Sequence, residues 1–411
     1  MNANTLVITG MGAITPVGLG VKAYWDGLIT GKCGVGRITR FDASDLPVQI
    51  AAELKGFDPA DFMPKTLART MSPFMQFAYA AAEEAITDSG LAIEQESDRV
   101  GIVMGTAMDG VTTVADTQAA YDAGHKVGPR FVPMTIGNIA AAQIAIVHGI
   151  RGPSFTLNTA CSAGGDAIMT AAMLLRSGEA DAVLAVGGES ILCSIVVAGL
   201  AQAKALSRRN DDPEQACRPF DLDRDGFVIG EGGGALVIET LEHALARGAR
   251  IHAVLAGYAN TSDAHHVTAP CPDGAGAAAC MKRALARAGM QPSDIGYINA
   301  HGTSTKLGDK AETLAIKAVF GDRESVPPIS ATKSATGHLM GAGGLTEAIA
   351  CIKAIQEGIL PPTLHLDTPD PDCDLDYVPN VARKVQIHAA MTNSLGFGGQ
   401  NSSIILSRYE G

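Results

Sequence analysis

Positive charge is what this sequence most lacks. Charged residues make up only 18% of the chain, and the formal net charge is −12. Phosphate backbones are held by clustered Lys and Arg, so the balance argues against nucleic acid as a partner. Aromatic residues are scarce, at 5% with a single Trp. The eight cysteines show no C-x-x-C pair and no framework spacing. Scattered single thiols of this kind fit a reducing cytoplasm. Long hydrophobic runs are missing too. The most apolar stretch, 182–203, contains Glu189, Ser190 and Ser194 and reads as buried strand plus helix, not as a membrane span. No basic segment followed by an apolar core opens the sequence, so no secretory signal is expected. Low-complexity segments are absent.

What is abundant is apolar surface and glycine: 46% hydrophobic residues and 47 Gly among 411. That composition supports a sizeable core with tight backbone packing, the profile of a large α/β enzyme. Short strand-like runs at 6–9, 100–104, 182–186, 235–239, 252–256, 295–299, 328–330 and 402–407 alternate with helical stretches such as 73–89, 276–288 and 344–357. The alternation predicts mostly parallel sheets covered by helices. An internal duplication is visible. The segment 156–165 leads into a small-residue helix ending at Arg176, and 330–344 leads into another ending near Glu357. The strand and turn after Val100 likewise match those after Ile295. The halves divide as 1–250 and 251–411, with no Ser/Pro-rich linker between them, so they are expected to form one body.

Cys161 lies in Leu157-Asn-Thr-Ala-Cys-Ser-Ala-Gly-Gly-Asp166, where a β-like run gives way to a helix of small residues. Free N–H groups and the partial positive charge of a helix N-terminus favour thiolate, the nucleophilic form. An arbitrary cysteine is more often inert filler. Here the Gly/Ala crowding would let a substrate or another backbone approach closely. Three further segments pair a strand end with a Gly/Ser/Thr loop: 299–305 with His301, 330–344 with Lys333 and His338, and 393–401 around Phe397. Ligands in open α/β sheets bind beyond the carboxyl ends of strands, so four such loops can converge on one crevice. They would place a nucleophile, two N–H donors and a cation around one site.

With Val7–Pro16 and Arg218–Gly232, these segments resemble, essentially end to end, the elongating β-ketoacyl-[acyl-carrier-protein] synthases of the thiolase-like superfamily. The resemblance implies a layered α-β-α-β-α fold built from two duplicated halves, the first carrying the cysteine and the second the histidines. It implies an acyl thioester on Cys161, with the N–H groups of Cys161 and Phe397 as oxyanion hole. His301 and His338 would stabilise the enolate formed by decarboxylation of malonyl-carrier protein. Lys333, with Glu347 as its buried partner, would hold a histidine and the local field. Thr303 and Thr305 would hydrogen-bond a pantetheine arm, and Phe397 would gate the acyl pocket opposite Asp263. A homodimer is implied, with the small-residue helix 167–176 and strand 182–186 in its interface, and no cofactor beyond the pantetheine carried by the substrates. A related ketosynthase of polyketide or aryl-polyene synthesis is the alternative.

Acyl carrier proteins are acidic, so docking on an acidic chain needs a local basic patch. Lys65 with Arg69, Lys126 with Arg130, and Arg208 with Arg209 are the candidates. Two apparent motifs are decoys. Asp221–Gly232 starts like a calcium loop, but Glu231 arrives one position early. Gly10–Thr15 is an incomplete dinucleotide fingerprint with Pro16 directly behind it. Departures from the family pattern at Ser162–Asp166, His265, Lys306, Leu395 and Gln400 remove no catalytic group and leave acyl-chain preference open.

Overall fold

The computed structural model describes residues 5–411. Its strand-like runs pair into one mixed sheet of ten principal strands, with a two-residue hairpin partner, Gly18–Leu19, beside the first. They are β1 (Leu6–Thr15), β2 (Val100–Gly105), β3 (Ser154–Leu157), β4 (Ala182–Glu189), β5 (Gly232–Thr240), β6 (Ala253–Ser262), β7 (Tyr297–Asn299), β8 (Ile329–Ser330), β9 (Ala389–Gly396) and β10 (Gln400–Ser407). The order is β3-β2-β4-β5-β1-β6-β10-β9-β7-β8. Strands β6 to β10 repeat, in mirrored sequence across the sheet, the order of β1 to β5. The halves meet where Leu6–Ile8 pairs with Ala253–Leu255.

The sheet is not mostly parallel, contrary to the sequence expectation. Strand β2 runs parallel to β3 and β4, and β7 to β8 and β9, but β4/β5, β5/β1, β1/β6, β6/β10 and β10/β9 are antiparallel. Alternation fixes strand direction only where one helical crossover joins neighbours. Here β9 turns straight back into β10, and the excursion 190–231 returns the chain so that β5 runs back along β4.

Five helices supply the layers: α1 (Pro73–Ser89), α2 (Ala163–Arg176), α3 (Ala275–Ala288), α4 (Lys306–Phe320) and α5 (Gly343–Glu357). Helix α1 begins at Pro73, which needs no N–H there, and ends at Gly90 with φ +60°. It covers β1, β5 and β4 from outside, while α3 covers β6 and β10. Helices α2 and α5 lie together between the two halves, and each touches strands of both. The central layer is therefore mostly buried, which explains its small residues. A Cβ on Gly344 would stand 2.6 Å from the N of Gly165. The glycines of the apparent dinucleotide fingerprint serve the same end. They lie within β1, and Cβ atoms at Gly10 and Gly12 would strike the carbonyls of Ala85 and Ala81 at 2.1 and 1.9 Å.

Strand β9 was not among the expected runs, because Thr392, Asn393 and Ser394 interrupt its apolar pattern. All three are buried, and Asn393 accepts a 2.8 Å hydrogen bond from Ser403 on β10. Of the two elements expected in a dimer interface, strand β4 is buried along its length between β2 and β5, and α2 exposes Met173 and Arg176 near its C-terminus. The open edge is β3, where Phe155 is 49% exposed. No helix among the described residues is long and apolar enough to cross a membrane.

Candidate active site

Cys161 sits in a 3-10 turn, Ala160–Ser162, directly ahead of α2. Ala160 holds φ at +51°, a conformation rare for a residue with a Cβ. The turn is fastened by Asp166, which accepts from the hydroxyls of Thr159 at 2.6 Å and Ser162 at 3.0 Å and from Asn260 at 2.8 Å. The N–H groups of Phe397 and of Cys161 itself are directed at the sulfur. Burial nevertheless dominates and pushes the thiol up to about 11, against the pull of those N–H groups and of Lys333. At this sulfur, burial opposes the helix N-terminus that the sequence reading expected to favour thiolate.

The four loops do converge. Cys161, His301, Thr303, Thr305, His338 and Phe397 line one cavity of about 300 Å³. Its apolar wall includes Ile191, Leu200 and Phe227. The His301 and His338 rings stand edge to face, with 5.3 Å between centroids. Both are held well below the usual histidine range, first by burial and then by the Lys333 charge. They are neutral at physiological pH. Met340 N–H donates to Nδ1 of His338 at 3.3 Å, which leaves the ring proton on Nε2, a buried nitrogen with no protein partner. His301 Nδ1 is likewise buried and unpartnered.

Two segments hold these rings. The Arg218–Gly232 segment is a strap: Val228 O accepts the N–H of His338 at 2.8 Å, and Gly230 N–H donates to its carbonyl at 2.9 Å. Phe227 packs edge-on against the His338 ring, 5.5 Å away. The supposed calcium ligand Asp221 instead accepts from Arg218 and from the N–H groups of Asp223, Asp367 and Thr368. For His301 the holder is Glu312 on α4. Its carboxylate takes the N–H groups of His301 and Gly302, each at 2.8 Å, and burial pushes it up to about 7.

Lys333 does not line the cavity but stands behind the histidines, paired with Glu347; both side chains are buried, at 2% and 3% exposure. Thr303 and Thr305 share a 3.1 Å hydrogen bond, and Thr305 also caps α4 through the N–H of Gly308. Asp263 lines the same cavity, its N–H bound to the Gly399 carbonyl of the Phe397 turn at 2.7 Å, yet its carboxylate is occupied: Oδ1 by Asn401 at 2.7 Å and Oδ2 by Cys271 N–H at 3.0 Å. It ties loops together instead of presenting a free carboxylate. Phe397, 38% exposed between Gly396 and Gly398, also borders an outer chamber of about 490 Å³ rimmed by Lys204, Asp225 and Lys306.

Of the basic candidates, Lys65, Arg69, Lys126, Arg130 and Arg208 are exposed. Arg130 reaches the carbonyl of Arg69 at 3.4 Å, so these two belong to one patch. Arg208 adjoins the outer chamber, its N–H bound to Asp225 at 3.0 Å. Arg209 is half-buried and donates to the carbonyl of Asp223 at 2.8 Å. Sequence reading missed Asp166, Glu312 and Glu189, buried carboxylates that hold site loops. For Asp166 and Glu189 the signal is an acidic residue inside an otherwise apolar or small-residue stretch; Glu312 sits among other charges and gives none.

Comparison with known proteins agrees with this geometry. The family model described as "Beta-ketoacyl synthase, N-terminal domain" matches residues 3–244, and its "C-terminal domain" counterpart matches 252–367. A Synechocystis 3-oxoacyl-[acyl-carrier-protein] synthase 2 is 46% identical over 408 residues, 98% of each chain. The solved ishigamide ketosynthase/chain length factor superposes with a TM-score of 0.91 at 36% identity, covering 99% of this chain and 100% of that one. A type II PKS ketosynthase, solved with its acyl-carrier protein and bound to the hexaketide, gives 0.89 at 32% identity, covering 100% of each. The chain is a member of the β-ketoacyl synthase family.

Proposed function

We propose that the chain is a 3-oxoacyl-[acyl-carrier-protein] synthase that elongates fatty acyl chains by two carbons. One observation carries this reading: a cysteine on a strained turn, with two N–H groups aimed at its sulfur, shares a cavity with two neutral histidines. The 46% identity to a curated synthase 2 supports the fatty-acid pathway over the polyketide systems, matched at 32–36%.

In this reading the pantetheine arm of acyl-carrier protein passes through the outer chamber, over Thr303 and Thr305. The Cys161 sulfur attacks the thioester carbonyl. The tetrahedral oxyanion is held by the N–H groups of Cys161 and Phe397, and the carrier thiol leaves with the cysteine's proton. Malonyl-carrier protein then loses CO₂. The enolate oxygen is stabilised by hydrogen bonds from His301 and His338, which are uncharged donors because their environment disfavours imidazolium. The enolate carbon attacks the acyl carbonyl, a C–C bond forms, and the departing Cys161 thiolate takes up a proton. Lys333 and Glu347 orient and tune the pair from behind. No cofactor enters beyond the substrates' own pantetheine.

The exposed cluster containing Lys65, Arg69, Lys126 and Arg130, with Arg208 beside the chamber, is the docking surface this reading assigns to an acidic carrier protein. A second copy of the chain covers the open β3 edge at Phe155, since an uncovered edge strand invites pairing. Eight unpaired thiols support a cytoplasmic setting. Product analysis with acyl- and malonyl-carrier protein tests the function: a β-ketoacyl product two carbons longer, with CO₂ released, supports it. Free fatty acid without condensation favours a hydrolase, and turnover only with polyketide carrier proteins favours the specialised alternative.

A further inference from the structure

The two halves repeat the turn that carries the nucleophile as well as their strands. Met340–Ala342, ahead of α5, is a 3-10 turn like Ala160–Ser162 ahead of α2. Met340 has φ +45°, against +51° at Ala160. Gly341 stands where Cys161 stands in the first turn, and a Cβ there would lie 2.6 Å from the Cα of Thr106. The second turn therefore has the geometry of a nucleophile turn without a nucleophile.

One of its N–H groups, that of Gly341, is already taken by a carboxyl group. Glu189, the last residue of β4, is fully buried, and its Oε2 accepts from Gly341 N–H at 3.1 Å and Ala107 N–H at 2.6 Å. Oε1 accepts from Met108 N–H at 3.3 Å and the Thr106 hydroxyl at 3.4 Å. All four partners are neutral donors. Ala107, Met108 and Met340 line the cavity, and Met340 N–H is the group that donates to His338 Nδ1. One carboxyl group thus links the cavity wall to Gly341, the residue directly after the Met340 whose N–H sets the His338 tautomer.

We propose that Glu189 is a positioning residue for the condensation: its carboxylate fills the anion site of the second, nucleophile-free turn and fixes both the cavity wall and His338. The proposal rests on the condensing reading above. Without the carboxylate, the Gly341 N–H loses its acceptor and the Met340 turn is free to rotate away from His338. Small carboxylates reaching the cavity would then find four vacant donors.

The test uses the full-length Glu189→Ala protein with sodium formate as the probe and sodium chloride as the ionic-strength control. At about pH 8, above the value of about 7 to which burial raises Glu189 in the wild type, the wild-type carboxylate is ionised. Cys161 acylation is expected to persist while condensation falls roughly tenfold to a hundredfold. Formate, and not chloride, should restore condensation and raise the melting temperature of Glu189→Ala, with neither effect on wild type. Glu189→Gln keeps the volume but turns an amide donor toward N–H donors, so it should lose condensation without formate rescue. Wild-type condensation by either variant overturns the proposal, and so does a folded Glu189→Ala that formate neither stabilises nor rescues. Should Glu189→Ala fold poorly, its refolding yield is read instead: dependence on formate supports the proposal and indifference to it overturns it. A wild type that fails to condense would sink the functional reading, while the formate-dependent melting shift stays readable.

Discussion

The rings of His301 and His338 meet at 86°, and burial first, then the Lys333 charge, lowers the proton affinity of both. Two neutral imidazoles can each offer one N–H to the same developing oxyanion, whereas imidazolium would exchange its proton with it. Replacing either with Ala should therefore cut decarboxylation of malonyl-carrier protein by roughly 10²–10³, the usual effect of losing one oxyanion donor. Acylation of Cys161 should persist in both variants. CO₂ release and acyl-enzyme formation, measured separately, check this; loss of acylation in step with decarboxylation would contradict it.

Cys161 provides a sharper test, because two physical effects oppose each other there. Burial raises the thiol to about 11, while the turn's N–H groups and Lys333 lower it. The alkylation rate with iodoacetamide should keep rising with pH through the neutral and mildly alkaline range. A plateau below about pH 8 would mean that the helix N-terminus wins and a thiolate is preformed.

Lys333 and Glu347 form a buried pair, so removing one partner strands the other's charge. Lys333→Ala should lose about 3–5 kcal/mol of stability in denaturant titration. The double variant Lys333→Met/Glu347→Leu should recover most of that stability and remain catalytically impaired, since the histidines lose their neighbouring charge. Recovery of activity along with stability would show the pair to be structural only.

At the outer face, His243 bridges Glu239 and Glu96, with 2.7 Å to the latter, and Arg247 also binds Glu239. Hydrogen bonding to Glu239 is the chief cause that raises His243 to about 9. Burial acts to raise Glu239, but Arg247, His243 and Thr9 outweigh it and hold the carboxyl at about 2. A raised histidine contributes its stability below the ordinary value of 6.5, and that contribution is lost as pH rises through about 9. A depressed carboxylate contributes above 4.5 and loses its share as pH falls toward 2. Melting temperature should thus decline between pH 6.5 and 9, and His243→Gln should flatten that decline. An unchanged profile in the variant would contradict the assignment.

Much of this arrangement was legible in the residues themselves. Helix α1 has the expected bounds because Pro73 and Gly90 punctuate it, and the four Gly-rich loops met at one cavity because each follows a strand end. Strand direction was not legible, since hairpin and crossover connections leave the same alternating pattern. Strand β9 was hidden by Asn393 and its polar neighbours, which find their partners only across the finished sheet. Glu189, Glu312 and Asp166 were hidden for the same reason: what makes them functional is which distant N–H and hydroxyl groups they hold. Asp263 and Arg209, named from the sequence for the acyl gate and for carrier docking, also hold neighbouring segments, through Asn401 and the Asp223 carbonyl.

The central claim, that Cys161 carries the growing chain, is tested most directly by intact-mass spectrometry of wild type and Cys161→Ala. Each is given acyl-carrier protein first and malonyl-carrier protein second. The account predicts an acyl mass on wild type only, discharged by the second substrate into a β-ketoacyl product two carbons longer. An acyl mass that survives in Cys161→Ala, or one that leaves wild type as free acid when malonyl-carrier protein is added, would contradict it.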